Sequence, residues 1–578
     1  MNLLMSRTTT TALTLGLVLV LTACGGGSTP DAAPNAQTKA TAEPVASSGQ
    51  VAPAAAAAAA KVSFFAASRF AEQVSFGATP ALVAEIQAKG FEKWIDDQMA
   101  LPQVAIDIKP AEAVYAFGQN VQVPPEIWQY LQRQFGNRAL SSADQLRLRV
   151  TWGLSQFVVA AITKGEVPGW VNWHNLLYRN ALGRYNTLLR EASTDSHMGH
   201  YLDNDQNRPK SAECMHCAPN ENYARELMQL FSIGVYKLNA DGTAQRDSRG
   251  RFIETYTQRD VEELARALTG WTRDYSGPAR PQRNWGNWGV PMIPSTWPPE
   301  RDAGSKTVMG RVFPGSQGAS KDLDDTIAML MAHANIAPFV SFRLIQHLVK
   351  SNPTPTYVAR IAAKFMNNGS GVKGDMKAVV KAILLDAEAR AGDSPSTARA
   401  DDGKFREPFL YSTAMWRGLG CKAIPMQSWG GAAISNMQTP FAQSSVFSFY
   451  APTDRAPGSN LLAPEQRLAT TQELRDRTNQ ASWPTKWDNA TQKQDVSLLR
   501  TAGCEIDGLS AAFFKSPTAY ADLLSARYFR GAMPPTLRSN LADIMSLQWP
   551  PYNKTDPFEG PLRMLNYATL TPYFGAMK

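Results

Sequence analysis

Between Asn220 and Glu226 the chain places two carboxylates, two amides and an arginine within seven residues, at the mouth of a helix. Glu221 and Arg225 lie four apart on one helix face, and Asn222 and Glu226 lie four apart on another. Helix architecture accounts for part of this. An i,i+4 ion pair and a first-turn glutamate each contribute a few tenths of a kcal/mol, roughly, to a helix. The chemical reading is a buried polar network in which Arg225 holds a carboxylate and Glu226 faces a cleft as acid, base or ligand. On that reading the chain is a hydrolase, with Glu221 or Glu226 as acid/base and Arg225 orienting the substrate. Thr257-Gln258-Arg259-Asp260 forms a capping box that opens a second helix, with Val261, Leu264, Ala265 and Leu268 as its apolar stripe and Gly270 after its end. Asp260 is the residue of that box that could carry a second role. Convergence of Glu221, Arg225 and Glu226 on a concave pocket with Asp260 or Lys306 would favour an enzyme, and ion pairing on an open surface would not.

A second concentration of reactive side chains follows His174. His197 and His200 are three apart, and Cys214-Met215-His216-Cys217 follows. Thiolates and imidazoles of this kind suit zinc or copper, so His197, His200, Cys214, His216 and Cys217 are the metal candidates. The competing assignment is a Cys214–Cys217 disulfide beside unrelated histidines. Attachment of c-type haem needs the histidine after the cysteine pair, and here it lies between them. Asp203-Asn204-Asp205 imitates a calcium loop, but Arg208 and Cys214 stand where glycine and glutamate are required. Nucleophile elbows, His-Glu-x-x-His, phosphate loops and a Gly-x-Gly-x-x-Gly placed after a strand are absent from the sequence.

The elements that must position these groups are mostly helical. Helical spacing predicts helices over Asp144–Ala161, which begins with Asp144 as a capping-type residue, and over Asp322–His333, Pro338–Val349, Thr356–Asn367 and Asp375–Leu385. Asn220 reads as the N-cap of the helix carrying Tyr223, Leu227, Leu230 and Phe231. One hairpin is expected over Val235–Tyr256, turning at Asp241-Gly242. Residues 275–318, with Trp285, Trp288 and Trp297, read as a long ordered loop packed on the surface and lining a groove. The fold class is therefore mainly α: a multi-helical body with a minor hairpin and long ordered loops, large enough for two subdomains.

Residues 1–23 carry one charge, Arg7, and an apolar run too short for the ~20 residues of a spanning helix, as in a secretory signal. Leu21-Thr22-Ala23-Cys24 resembles a bacterial lipoprotein box, which makes Cys24 the lipidated residue. Gly25 follows in place of an aspartate retention signal, so the outer membrane is the expected anchor. Residues 24–60, rich in Ala, Gly, Ser and Pro, cannot bury enough apolar area to offset ordering and form a flexible tether. The main helical region runs over 61–390, and a C-terminal helical and loop region over 391–578. The net charge of +8, or +7 without Arg7, is diffuse and lacks a basic block, which argues against nucleic acid as a partner. With Cys24 lipidated, Cys214, Cys217, Cys421 and Cys504 remain in an oxidising compartment. Pairs 214–217 and 421–504 are the simplest of three connectivities.

Short pieces spread over about 400 residues carry a family resemblance. They include Arg69-Phe70, Ser75-Phe76-Gly77, Gln145-Leu146-Arg147-Leu148-Arg149, the Asn220 block to Gly234, and Thr257 to Trp271. Asp302-Ala303-Gly304-Ser305-Lys306, Leu344-Ile345-Gln346, Arg406-Glu407-Pro408 and Ala463-Pro464-Glu465 continue it. In these the chain resembles the bacterial "domain of unknown function 1800" family. The resemblance implies a largely α-helical exported protein with no assigned reaction. It also implies a partnership, through gene association, with a second exported family, number 1501, which is similar to sulfatases. Arg301 stands where the family often has histidine, and His197 and His200 fall outside its pattern. The expected function is a lipid-anchored envelope scaffold or binding module for an envelope polymer or partner enzyme, with the hydrolase and a metal-binding protein as alternatives.

Overall fold

Hydroxyl and carboxylate side chains cap several of the helix starts. Ser63, Thr79, Thr354, Thr470 and Ser516 each accept a hydrogen bond from the backbone N–H three residues on, and Asp375 accepts from Lys377 and Ala378. A computed structural model describes residues 62–578, except 116–122, 276–286, 398, 400–401, 426–436, 483 and 548–555. The expected signal and tether, Cys24 and Trp285 lie outside the described residues. Among those residues there are 25 α-helices and only two-stranded antiparallel sheets, so the protein is mainly α. No single helix there is long and apolar enough to cross a membrane.

The expected helices are found over Ala319–Ala332, Ile336–Leu348, Pro355–Met366 and Met376–Leu385. The one expected over Asp144–Ala161 is shorter, Gln145–Ser155. Asp144 does not cap it; its carboxylate takes Arg138, Ser142 and the Tyr178 hydroxyl instead. After Gln156 the chain leaves the helix, and Ile162 donates to the Phe441 carbonyl at 2.9 Å. Residues 235–256 fold back on themselves twice, at Asp241-Gly242 and again at Asp247–Gly250. Single bridges Tyr236↔Glu254, Leu238↔Ala244 and Arg246↔Phe252 replace the one regular hairpin the sequence suggested. Asn335 pins this arm, donating to the Ile233 and Tyr236 carbonyls and accepting from the Leu238 N–H.

Residues 60–578 form one compact unit, and a single apolar cluster runs through it. Near its centre Phe135, Trp152, Phe409 and Phe441 make stacked and edge-on contacts, with Trp152 and Phe409 4.6 Å apart. The two ends of this unit meet. Lys404–Phe405 pairs with Ala576–Met577, and Arg69 donates to the carbonyls of Ala389 and Lys578. Gly403 makes that approach possible: its φ is +77°, and a Cβ there would lie 1.8 Å from the Met577 carbonyl oxygen. Glu72, on the first described helix, holds Arg406 at 3.0 Å and Arg530 at 2.6 Å. Disulfides join Cys214 to Cys217 and Cys421 to Cys504.

Four charges are buried where these elements cross. Lys404 Nζ lies 2.7 Å from Glu465 Oε1 and also donates to the Gln346 and His347 carbonyls. Glu407 accepts from Trp152 Nε1 (2.8 Å), Gln438 Nε2 (2.8 Å) and the Tyr450 hydroxyl (2.6 Å). Arg149 donates to the His347 carbonyl at 2.6 Å. Burial alone would raise the Glu407 pKa. Lys404, Arg149 and the bonds from Tyr450 and Trp152 outweigh it and hold Glu407 below the usual glutamate range. Glu465 is raised, by burial first and by the neighbouring Glu407 charge. Two cations thus face two carboxylates, and removing one cation strands a buried charge. Lys404→Met is expected to lower unfolding stability by about 3–5 kcal/mol. Arg538→Ala, which breaks the exposed pair with Asp522, should change it by about 0.5 kcal/mol or less. Urea midpoints of the two variants check this, and equal shifts would disprove the difference.

Candidate functional site

The helix Asn222–Gln229 presses Tyr223, Ala224, Leu227 and Met228 into the core, and the Tyr223 hydroxyl donates to Ser193 Oγ at 2.7 Å. Its cap position is held by Glu221, one residue later than the sequence suggested, and no side chain caps it. Asn220 is tied up just before it. Its carboxamide oxygen accepts from the Asn222 N–H at 2.9 Å, while its own N–H donates to Asn207 Oδ1 at 2.7 Å. The polar block therefore begins on a fixed turn, which sets the directions of the side chains after it.

That block divides in two. Arg225 Nη2 lies 2.6 Å from Glu221 Oε2, and Gln258 bonds to both partners at 3.0 and 2.8 Å. The Arg225 and Glu221 side chains are 36% and 35% exposed, so solvent screens the pair and it adds little stability. Asp260 is consumed by helix architecture. One oxygen accepts from the Thr257 N–H and hydroxyl, and the other from the Met309 N–H at 2.6 Å. Burial pushes its pKa up, but these bonds win and the group stays below the usual aspartate range. Lys306 is buried against Asp322 at 3.2 Å and the Asp302 carbonyl at 2.7 Å. Arg301 also pairs with Asp322 and donates to the Ala267 and Thr269 carbonyls, closing the end of helix Gln258–Ala267. Asp260 and Lys306 are held by their own partners, and among the described residues neither bonds to Glu221, Arg225 or Glu226.

Glu226 is different. Its residue is 6% exposed, and Oε2 has no hydrogen-bond partner among the described residues. Burial pushes its pKa up to about 7, against a lowering influence from Arg225. Its charge also reaches the phenols of Tyr201 and Tyr256, both raised chiefly by burial. Asn222 and Leu230 stand one helical turn to either side of it on the same face. Asn222 Nδ2 donates to Asp203 Oδ2 at 3.0 Å, and Asp203 pairs with Lys164 at 3.3 Å. Leu230 lines a cavity with Phe157, Arg343, His347, Phe447 and Tyr450. The cavity measures about 30 Å³, enough for a water molecule and too small for a substrate. Burial keeps His347 neutral and brings Arg343 down to about 10. One helix face thus runs from an exposed ion pair, past a protonatable carboxyl, to an apolar recess.

The histidine and cysteine candidates lie apart. His197 is fully buried, and burial lowers its pKa to about 3; a Cβ on Gly165 would come within 2.9 Å of its Nδ1. His200 points its ring edge-on at Trp288, 5.1 Å away. Cys214 and Cys217 bond to each other, which removes their thiolates as ligands, and His216 is exposed between them. Among the described residues no three His, Cys, Asp or Glu side chains gather closely enough to hold a metal ion. The tryptophan-rich loop covers charge. Trp288 lies over the Arg273 guanidinium at 4.4 Å, and Arg273 pairs with Asp205 at 2.7 Å in a nearly dry site. Trp297 stands 5.6 Å from the Arg208 guanidinium.

Sequence reasoning did not single out Tyr201, Tyr256 or the buried set Arg149, Lys404, Glu407 and Glu465. The signal for the last was present in Arg406-Glu407-Pro408 and Pro464-Glu465, where a charge stands beside a helix-starting proline.

A mainly α body with family pieces at its buried crossings and one unpartnered carboxyl on a helix face is the class these observations define. The chain belongs to the family described as "Protein of unknown function (DUF1800)", whose model matches residues 69–575. No curated protein and no solved structure matches it.

The Glu226 carboxyl links stability to pH. Its folded pKa of about 7 exceeds the ordinary 4.5, so burial costs nothing below pH 4.5 and reaches its full cost above pH 7. Relative to wild type, Glu226→Gln should gain on the order of 3 kcal/mol as pH rises through that window. Asp195, also pushed to about 7 by burial, is common to both proteins and cancels. Paired urea titrations from pH 4 to 8 test this, and a pH-independent difference would refute it.

Proposed function

We propose that this protein is a lipid-anchored cell-envelope binding module. Cys24 holds it at the outer membrane, and residues 24–60 tether the body. The body engages an envelope polymer or a partner enzyme along the Asn222–Glu226–Leu230 face. The observation that carries this reading is Glu226. A carboxyl that is half-protonated near neutral pH, with its inner oxygen buried and unpartnered, is the polar group on this face that the fold leaves unspent. The recess beside Leu230 is too small to enclose a substrate, which favours surface engagement over an enclosed reaction chamber. The exported sulfatase-like family number 1501 is the partner enzyme to test first, on the strength of gene association.

A second reading, a hydrolase, rests on the same residue, because a glutamate raised to about 7 is suited to general acid/base work. In that reading Glu221 and Arg225, at the rim of the same helix, steer or orient the substrate. A metal-binding role has no comparable support, since the zinc and copper candidates do not meet among the described residues.

One pair of variants separates the first two readings. Glutamine keeps the size and hydrogen-bonding ability of a protonated Glu226 but cannot transfer a proton. In a deletion strain, Glu226→Gln should restore function and Glu226→Lys should not, with both proteins folded by circular dichroism. Loss of function in a folded Glu226→Gln would instead establish the acid/base role. For the anchor, Cys24→Ser is expected to move the protein from the membrane pellet to the soluble envelope fraction. Retention in the pellet would count against lipidation.

A further inference from the structure

A groove in the C-terminal part of the chain has a chemistry unlike the Glu226 face. It lies between the helix Glu559–Thr569, the residues Thr478, Asn479, Ser482 and Thr485, and the hairpin formed by Lys486–Asp495, and encloses about 450 Å³. That falls within the ~300–1,000 Å³ usual for small-molecule sites. Its lining is dominated by amides and hydroxyls, including Asn479, Ser482, Gln494, Asn566 and Tyr567. Among the described residues of that lining the charges are Glu559 and Arg563, which pair with each other at 2.7 Å and cancel.

The internal hydrogen bonds hold this lining in place without using it up. Asn566 accepts from the Ala481 N–H at 2.8 Å and donates to Ser482 Oγ at 2.9 Å, while Thr485 donates to Gln494 Oε1 at 2.8 Å. The Gln494 side-chain nitrogen Nε2 and the Tyr567 hydroxyl bond to no other described residue, and the Ser482 proton is likewise unspent. In the hairpin register Trp487 stands directly opposite Gln494, so both side chains project from the same face. Trp487 is 42% exposed, and its ring stacks on no described aromatic or cationic side chain. A large apolar surface is thereby left in water at the edge of a neutral, amide-rich groove.

We propose that this groove binds a neutral carbohydrate chain. A pyranose ring presents apolar C–H faces and a rim of hydroxyls that both donate and accept. The exposed indole of Trp487 supplies a platform for the first, and the Gln494, Ser482, Asn566 and Tyr567 groups match the second. An anionic ligand would meet no spare cation among the described lining residues, because Arg563 is already committed to Glu559. An apolar ligand would leave the amides unpaired at a cost. The site is separate from the Glu226 face and does not depend on what that face does.

The full-length mature protein in detergent is titrated by calorimetry with cellohexaose, maltohexaose and the hexamer of N-acetylglucosamine, with polygalacturonate as the charged comparison. At least one neutral hexamer should bind with a Kd below about 1 mM. Trp487→Ala should weaken that binding about tenfold or more, as expected for loss of an aromatic anchor. Tyr567→Phe, which removes one hydroxyl and preserves the ring, should weaken it about three- to tenfold. Circular dichroism and urea midpoints near wild type confirm that both variants fold. Absence of binding by all three neutral hexamers overturns the proposal. So does binding that both variants retain in full, or a preference for polygalacturonate that fades with salt.

Discussion

The buried cluster of Lys404, Arg149, Glu407 and Glu465, in which Lys404 and Glu465 form the ion pair, is the constraint on which the rest of this fold depends. The groups come from three stretches of chain: the helix Gln145–Ser155, the strand Lys404–Phe405 running into the turn before Pro408, and the short helix Pro464–Leu468. A buried charge cannot wait for water, so these three segments must meet together or not at all. Lys404 and Arg149 also bond to the carbonyls of Gln346 and His347, which ties the end of helix Ile336–Leu348 to the same point. Gly403, Arg69 and Glu72 then fasten the C-terminal residues and the first helix to this centre. An apolar core would hold these segments through burial, but charge pairing at least fixes which segment meets which.

With that frame rigid, the helix Asn222–Gln229 can carry a carboxyl in an environment that does not suit it. Glu226 is the cost of a particular geometry: buried, short of partners, and close to half-protonated at neutral pH. Four residues earlier, Asn222 is satisfied through Asp203, and four residues later Leu230 turns to an apolar recess. Glu221 and Arg225, which look equally chemical in the sequence, are an ordinary screened pair by comparison. Residues one position apart on a helix differ by about 100° in direction, and here that rotation separates solvent from interior.

Much of the local architecture was legible beforehand, because it is decided by neighbours in the chain. The capping box Thr257–Asp260 forms as its spacing demands, and the helices over 319–385 fall within a few residues of their apolar periodicity. The mainly α class and the family follow from such signals. Misreadings arose where a distant partner competes for a side chain. Asp144 serves Tyr178 and Arg138 instead of capping its helix, and Arg246↔Phe252 adds a second fold-back to the expected hairpin. His197 and His200 share a short helix, yet one faces the core and the other Trp288, a difference that three-residue spacing does not encode.

By itself the sequence determined where helices begin, which faces are apolar, and to which family the chain belongs, since each of these depends on residue types at fixed short separations. Only the tertiary structure decided which of the charged residues are ordinary. It placed Asp260 in a cap, Lys306 beside Asp322, Trp487 across from Gln494, and Glu226 apart from any hydrogen-bonding partner for its inner oxygen. The reason is physical. A carboxylate's proton affinity and an indole's availability depend on how much water and which partners surround them. Those surroundings are assembled from segments up to hundreds of residues apart.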